Sequence, residues 1–204
     1  MWVCDLSDLP AVDGLARAAI DELGGVDILV NNAGIPKRRH VTALDHATVE
    51  DVMRINYLSP VRLTLDLLPH MLERGSGLVV NVSSVAAPLS SPGEAAYDAS
   101  KAALAVFSEA MAIDLWETGV RVLVAYPGVV DTELFTIPGN DPLPATIEPI
   151  PVGEMVDGMI DAIVRDAHEV YVPAWFKEIA SGKAANLEGF LAGAAEFVRD
   201  QGSR

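Results

Sequence analysis

Tyr97 and Lys101 stand four residues apart, which on a helix puts two side chains on one face about one turn apart. A phenol with an ordinary pKa of about 10 is a poor base near neutrality, and a neighbouring ammonium favours its ionised form. Together they form a pair able to exchange a proton with a substrate oxygen. The same spacing also occurs on ordinary surface helices, so other chemistry has to converge on it. Ser84 lies 13 residues before Tyr97, directly after an apolar run, and its hydroxyl can donate to a developing oxyanion. Asn56, 28 residues earlier again, sits in the apolar context Arg54-Ile55-Asn56-Tyr57-Leu58. A side-chain amide placed there calls for a specific polar partner.

These residues must be positioned by the elements around them. Trp2–Cys4 is a short apolar run read as a strand, with Cys4 buried in it. Ser7 or Asp8 then caps a helix that has Pro10 in its first turn and stops at Gly24-Gly25. Val26–Val30 reads as a buried strand ending in the turn Asn31-Asn32-Ala33-Gly34. A single long helix is predicted from Thr48 to about Arg74, a strand over Leu78–Val82, a helix from about Ala95 to Trp116 and a strand over Val120–Ala125 before Pro127-Gly128. Residues 131–150, with prolines at 138, 142, 144 and 149, read as a mobile loop. A helix over Val152–Val164, a strand over Val170–Val172 and a helix over Leu187–Val198 complete the chain. Strands alternating with helices specify an α/β fold, a doubly wound parallel sheet covered on both faces. Ligands of such sheets bind beyond the carboxyl ends of the strands, which directs attention to Asp5, Asn31–Gly34, Ser83-Ser84 and Pro127-Gly128.

Composition narrows the function classes. The 204 residues are half apolar and carry a net charge of −15, enough core material for a folded domain and the wrong sign for attraction to nucleic acid or an anionic membrane. One cysteine cannot form an internal disulfide, the four histidines have no metal-ligand spacing, and no apolar run reaches transmembrane length. A cytoplasmic protein without metal, nucleic-acid or membrane partners is expected. The basic run Lys37–His40 reads as a solvated loop in preference to a contact for an anionic substrate, and Trp175-Phe176 as packing residues.

Taken together, Asn31-Asn32-Ala33-Gly34, Asn56, Asn81-Val82-Ser83-Ser84, Tyr97-Asp98-Ala99-Ser100-Lys101 and Tyr126-Pro127-Gly128 with Thr132 resemble, in order and spacing, the motifs of the short-chain dehydrogenase/reductases. The resemblance runs from Asp5 to about Val172. It implies a Rossmann-like fold and an NAD(P)-dependent oxidoreductase interconverting a secondary alcohol and a ketone. It also implies a catalytic tetrad. Tyr97 would be the acid/base, Lys101 would lower its pKa and hold the nicotinamide ribose, Ser84 would polarise the carbonyl, and Asn56 would fix a water linking Lys101 to solvent. Asp5 and the Leu6 backbone would contact adenine, Asn32, Ala33 and Gly34 the adenosine ribose, and Pro127, Gly128, Val130 and Thr132 the nicotinamide and its phosphate. The choice between NAD and NADP is not readable. Residues 131–150 would form the substrate loop and 173–204 a C-terminal helical tail on one incomplete Rossmann-like domain. Apolar excess on the helices at 48–74 and 95–116 suggests a homodimer or homotetramer.

The sequence departs from the family at its start. The family opens with a strand, a Thr-Gly-x-x-x-Gly-x-Gly turn, a helix, a second strand and a second helix, and none of these precedes Asp5. On the resemblance, roughly 50 residues are expected ahead of Met1, and the sheet is expected to lack its first two strands, leaving Val26–Val30 with an open edge. The 204 residues are then expected to be a fragment, the product of a misplaced start, or a decayed gene product. The rival function is an inactive remnant or a dinucleotide-sensing module of the same fold.

Overall fold

The short apolar runs pair side by side into one parallel sheet, and the amphipathic segments between them cover it. The computed structural model describes residues 1–143 and 147–202. Its strands are β1 (Ile28–Asn31), β2 (Gly77–Val82), β3 (Val120–Pro127) and β4 (Glu169–Val172), in the order β1-β2-β3-β4 and all parallel. The register places Asn31 beside Asn81 and Val82 beside Ala125, so the carboxyl ends of the first three strands form one rim.

The helices are α1 (Leu9–Leu23), α2 (His46–Met53), α3 (Ser59–Arg74), α4 (Ala86–Leu89), α5 (Ala95–Asp114), α6 (Val152–Val164), α7 (Phe176–Ala185) and α8 (Leu187–Gly202). Asp8 caps α1 by accepting from the Ala11 N–H, and Gly24 closes it at φ +72°, the left-handed conformation that glycine adopts without strain. On one face of the sheet, Met71 of α3 and Met111 and Leu115 from α5 and its end pack on Val79, Val120 and Val122. On the other, Ala162 of α6 packs against Leu78, Val80 and Leu123, and Met155 against Ala125 and Val172. The two faces follow from the period-2 alternation of strand side chains. Where α6 does not reach, β1 is left bare: Ile28 and Val30 are 53% and 51% exposed, which corrects the buried strand read over Val26–Val30, while the position of β1 at the end of the strand order is the open edge expected for it.

Several expectations are corrected. Trp2–Cys4 forms no strand, because no described strand lies beside it to share a ladder. Cys4 is half-buried in irregular chain, and burial raises its thiol pKa. The helix predicted over 48–74 is broken by a π-helical turn at Arg54–Leu58. Helices α4 and α7 arise where none was predicted. The run Lys37–Arg39 is half-buried rather than solvated, since Arg38 and Arg39 fasten it to the loops at 139–141 and 93–94. The 131–150 segment contains a short 3₁₀ turn at Glu133–Thr136 and a bridge between Val130 and Ile150; residues 144–146 of that loop lie outside the described residues.

Candidate active site

A cleft of about 800 Å³ opens at the carboxyl ends of β1, β2 and β3. That is the size of a site for a sizeable organic ligand. Each strand delivers residues to it: Asn32, Ala33 and Gly34 follow β1, Ser83 and Ser84 follow β2, and Gly128 and Val130 follow β3. The first two turns of α5 add Tyr97 and Lys101, and Pro127 and Thr132 also line the wall.

The rim is held by a buried polar network. Asn31 Nδ2 donates to Asn81 Oδ1 at 2.8 Å and to Thr64 Oγ1 at 3.1 Å, and Asn81 Nδ2 donates to Ser108 Oγ at 2.7 Å. The first asparagine of the Asn31-Asn32 pair is therefore structural, while Asn32 is exposed at the cleft. Asn56, 0% exposed, is presented by the π turn. Its Oδ1 accepts from the Ile35 N–H at 2.8 Å; its Nδ2 donates to the Ile35 carbonyl at 2.9 Å and to Ser100 Oγ at 3.0 Å. The polar partner that the sequence calls for is the backbone just after Gly34. A Cβ on Gly34 would lie 3.1 Å from Asn56 Oδ1 and 3.3 Å from Lys101 Nζ, so any larger residue here would press on both side chains by a few tenths of an ångström.

Lys101 is buried and its Nζ donates to the Val82 carbonyl at 2.8 Å. Nζ lies 5.8 Å from the centre of the Tyr97 ring. Burial lowers its pKa to about 8, and burial pushes the Tyr97 phenol up to about 12; the Ser84 hydroxyl acts against that rise, and Glu94 and Asp98 add to it. The expected lowering of the phenol by Lys101 is thus not what governs Tyr97 here. Desolvation wins, and at neutral pH the phenol holds its proton.

Asn56 stands behind the cleft rather than in its wall. Asp5 and Leu6 lie outside the residues that line it. Asp5 Oδ1 accepts from Ser7 N and Ser7 Oγ, both at 2.8 Å, which holds the carboxyl below its usual range, and the Leu6 carbonyl accepts from Ser59 Oγ. Gly128 meets Phe176, whose Cε2 would be 2.7 Å from an added Cβ, and Phe176 stacks on Trp175 at 3.9 Å between ring centres. Arg38 of the basic run, read from sequence as part of a solvated loop, also lines the cleft, as do Ser91 and Glu94, which sequence reasoning missed. Glu94 could have been found as the acidic residue just ahead of the helix that carries Tyr97.

Comparison with known proteins agrees with this geometry. The family model described as short chain dehydrogenase matches residues 1–139. The 3-oxoacyl-(acyl-carrier-protein) reductase of Vibrio cholerae is 33% identical over 147 residues, 72% of this chain and 60% of the relative. An uncharacterised oxidoreductase of Myxococcus xanthus is 39% identical over 157 residues, 77% of this chain and 60% of its own. The chain thus spans about three fifths of the length of these two curated relatives. Among solved structures, a short-chain dehydrogenase from Streptomyces avermitilis superposes with a TM-score of 0.80 at 28% identity, covering 97% of this chain and 79% of that one. One from Burkholderia cenocepacia, solved in complex with NADP, gives a TM-score of 0.78 at 29% identity, with 93% and 76% covered. By sequence motif, sheet topology and matched length, the chain belongs to the short-chain dehydrogenase family.

Proposed function

We propose that this chain carries the catalytic half of an NAD(P)-dependent oxidoreductase that interconverts a secondary alcohol and a ketone. The convergence of Ser84, Tyr97 and Lys101 on one cleft at the carboxyl rim of the sheet carries the reading. A neutral phenol is the form needed to protonate a carbonyl oxygen as a ketone is reduced. The Ser84 hydroxyl donates to the same oxygen as negative charge develops on it. Lys101 fixes the first two turns of α5 against β2 through the Val82 carbonyl.

The residues present fit the nicotinamide-ribose end of the cofactor. The Lys101 ammonium makes one hydrogen bond among the described residues, and the side chain borders the cleft. Its remaining N–H groups can serve ribose hydroxyls, and Pro127, Gly128, Val130 and Thr132 offer an adjoining wall. A bound nicotinamide supplies the hydride in one direction and accepts it in the other. NADP is the cofactor named for the Burkholderia cenocepacia relative, and either NAD or NADP is compatible with the residues here. Asn32, Ala33 and Gly34 would follow the adenosine ribose, with Asp5 and Leu6 nearer the adenine. Residues 131–150 are the proposed substrate loop and 173–204 a helical tail. A homodimer or homotetramer through α3 and α5, working in the cytoplasm, completes the proposal. The second reading is an inactive remnant or a dinucleotide-sensing form of the fold, which would keep the cleft without turnover.

The test follows NADPH and NADH absorbance with a panel of ketones. It is run on the chain itself and on the chain carrying a strand–turn–helix unit of the family ahead of Met1. Turnover is expected in the extended form, and Tyr97→Phe should lower it by about 10²–10⁴, the range for loss of a general acid. Full activity in both Tyr97→Phe and Ser84→Ala would overturn the assignment.

A further inference from the structure

Beyond Ser84, Tyr97 and Lys101 the cleft wall is largely aliphatic, with Val129, Leu134 and Met155 among its residues. Three charged side chains interrupt it, Arg38, Glu94 and Glu133, and the first two face each other. Arg38 Nη1 lies 3.2 Å from Glu94 Oε1, with the side chains only 13% and 11% exposed, and both line the cleft. Arg38 is fixed through its backbone: its N–H donates to Asn140 Oδ1 at 3.1 Å and its carbonyl accepts from the Asp141 N–H at 3.0 Å. The next residue, Arg39, donates its N–H to the Gly93 carbonyl at 2.6 Å. Glu94 is the residue immediately before α5, three ahead of Tyr97, and both side chains line the cleft. Burial raises the Glu94 carboxyl pKa and Arg38 draws it back. A guanidinium has five N–H donors, and Glu94 is the one side-chain partner of Arg38 among the described residues, so donors remain for a ligand.

We propose that the Arg38–Glu94 pair determines substrate specificity by reading a neutral hydroxyl group on a carbon near the reacting carbonyl. This rests on the oxidoreductase reading of the cleft. A hydroxyl accepts from Arg38 and donates to Glu94 at once, and the ion pair stays intact. A carboxylate taking the remaining Arg38 donors would bring a second negative charge beside the mostly buried Glu94 carboxylate, with Glu133 also in the wall and in a chain already at −15. A methyl group would desolvate the pair and return no hydrogen bond. Sites built to bond a substrate hydroxyl discriminate strongly against the analogue that lacks it.

The matched ligands hydroxyacetone, acetone and pyruvate test this on the full chain, with binding read from the Arg38 Nε–H resonance by NMR. Hydroxyacetone should bind about tenfold or more tightly than either of the others, a difference of about 1.4 kcal/mol, and should shift that resonance. In the unaltered chain, equal binding of acetone, a preference for pyruvate, or no binding of hydroxyacetone each overturns the proposal. The double variant Arg38→Met with Glu94→Gln removes both charges together, so neither is stranded. Its preference, read from the backbone amides of the cleft, should fall to near one, and a retained preference also overturns the proposal. If that variant fails to fold, the three ligands on the unaltered chain still decide. Consumption of NADPH is a separate readout: a hydroxyl preference without turnover upholds the pair's role and counts against the oxidoreductase reading.

Discussion

Burial separates the ionisable residues of α5 according to what surrounds each one. Lys101 spends its hydrogen bond on the Val82 carbonyl, whereas Asp98 buries a carboxyl with one oxygen served and one not. Oδ2 accepts from the Ser91 N–H at 2.6 Å, and Oδ1 is buried without a hydrogen-bond partner among the described residues. Burial pushes this carboxyl up to about 7; Glu94 adds to the rise, while the Ser91 N–H, Lys183 and Arg38 oppose it. Because the folded pKa lies above the unfolded one, the protonated form favours the fold. That stability is fully present below about 3.9 and is lost as pH rises through about 7. Asp98→Asn keeps an acceptor for Ser91 and removes the charge. It should raise the melting temperature at pH about 8 by a few degrees, on the order of 1–3 kcal/mol, the cost of one unserved buried polar group. It should leave the value near pH 4 almost unchanged, and an unaltered slope of melting temperature against pH would contradict the assignment. At this scale the residue types and their order were legible in the sequence. The protonation states were not, because they depend on desolvation by residues distant in the chain.

Among the elements, the π turn shows most clearly what periodicity conveys and what it conceals. Apolar spacing correctly predicts helix through 48–74, yet it cannot reveal the extra residue within the turn at Arg54–Leu58 that presents Asn56 to the Ile35 backbone. Such turns recur at functional sites because they re-aim one side chain without ending the helix. The signal present in the sequence was the amide itself among apolar neighbours. Trp2–Cys4 is the opposite case, a good strand pattern with no described strand beside it, and α7 was hidden by its exposed, weakly patterned residues. Asn56→Ala would leave the Ile35 N–H and its carbonyl without their partner, each costing about 1–3 kcal/mol where water cannot replace it, while the Ser100 hydroxyl keeps its bond to the Tyr97 carbonyl. A lower melting temperature is expected, together with hydrogen exchange at the Ile35 amide accelerated more than at β2. Exchange at Ile35 as slow as in the parent would show that Asn56 does not hold this segment.

Two of the exposed apolar features bear on assembly and on cofactor binding. Leu58, Leu65 and Leu72 recur every seven residues and are 40%, 53% and 40% exposed; Val106 and Ile113 of α5, also seven apart, are 63% and 74% exposed. Stripes of this kind suit helix-to-helix contact between copies. Sedimentation should find a dimer or tetramer at micromolar concentration, and Leu65→Glu with Ile113→Glu should shift it toward monomer. A parent that sediments as a monomer would remove the basis for the proposed assembly. The second feature is the bare edge of β1, where Val30 both lies open and lines the cleft. The sequence made this edge legible through its missing motif, since no glycine-rich turn occurs within the 204 residues and the four strands end at β1. A pyrophosphate needs such a turn for its backbone N–H donors. The contacts proposed here serve adenosine, nicotinamide and, around Thr132, the phosphate next to the nicotinamide, leaving the pyrophosphate without the backbone donors of that turn beside a chain of net charge −15. Charge-assisted hydrogen bonds contribute about 1.5–3 kcal/mol each, and each 1.4 kcal/mol lost weakens binding about tenfold. Two or three missing bonds therefore carry a micromolar site to about millimolar. Calorimetric titration of these 204 residues with NADPH and with NADH should give dissociation constants well above about 100 μM, equivalent to binding weaker than about 5.5 kcal/mol. A tighter constant for either cofactor would mean that the cleft as described already contains a phosphate site, and the backbone of Asn32–Gly34 at the carboxyl end of β1, which lines it, would then be the first place to look.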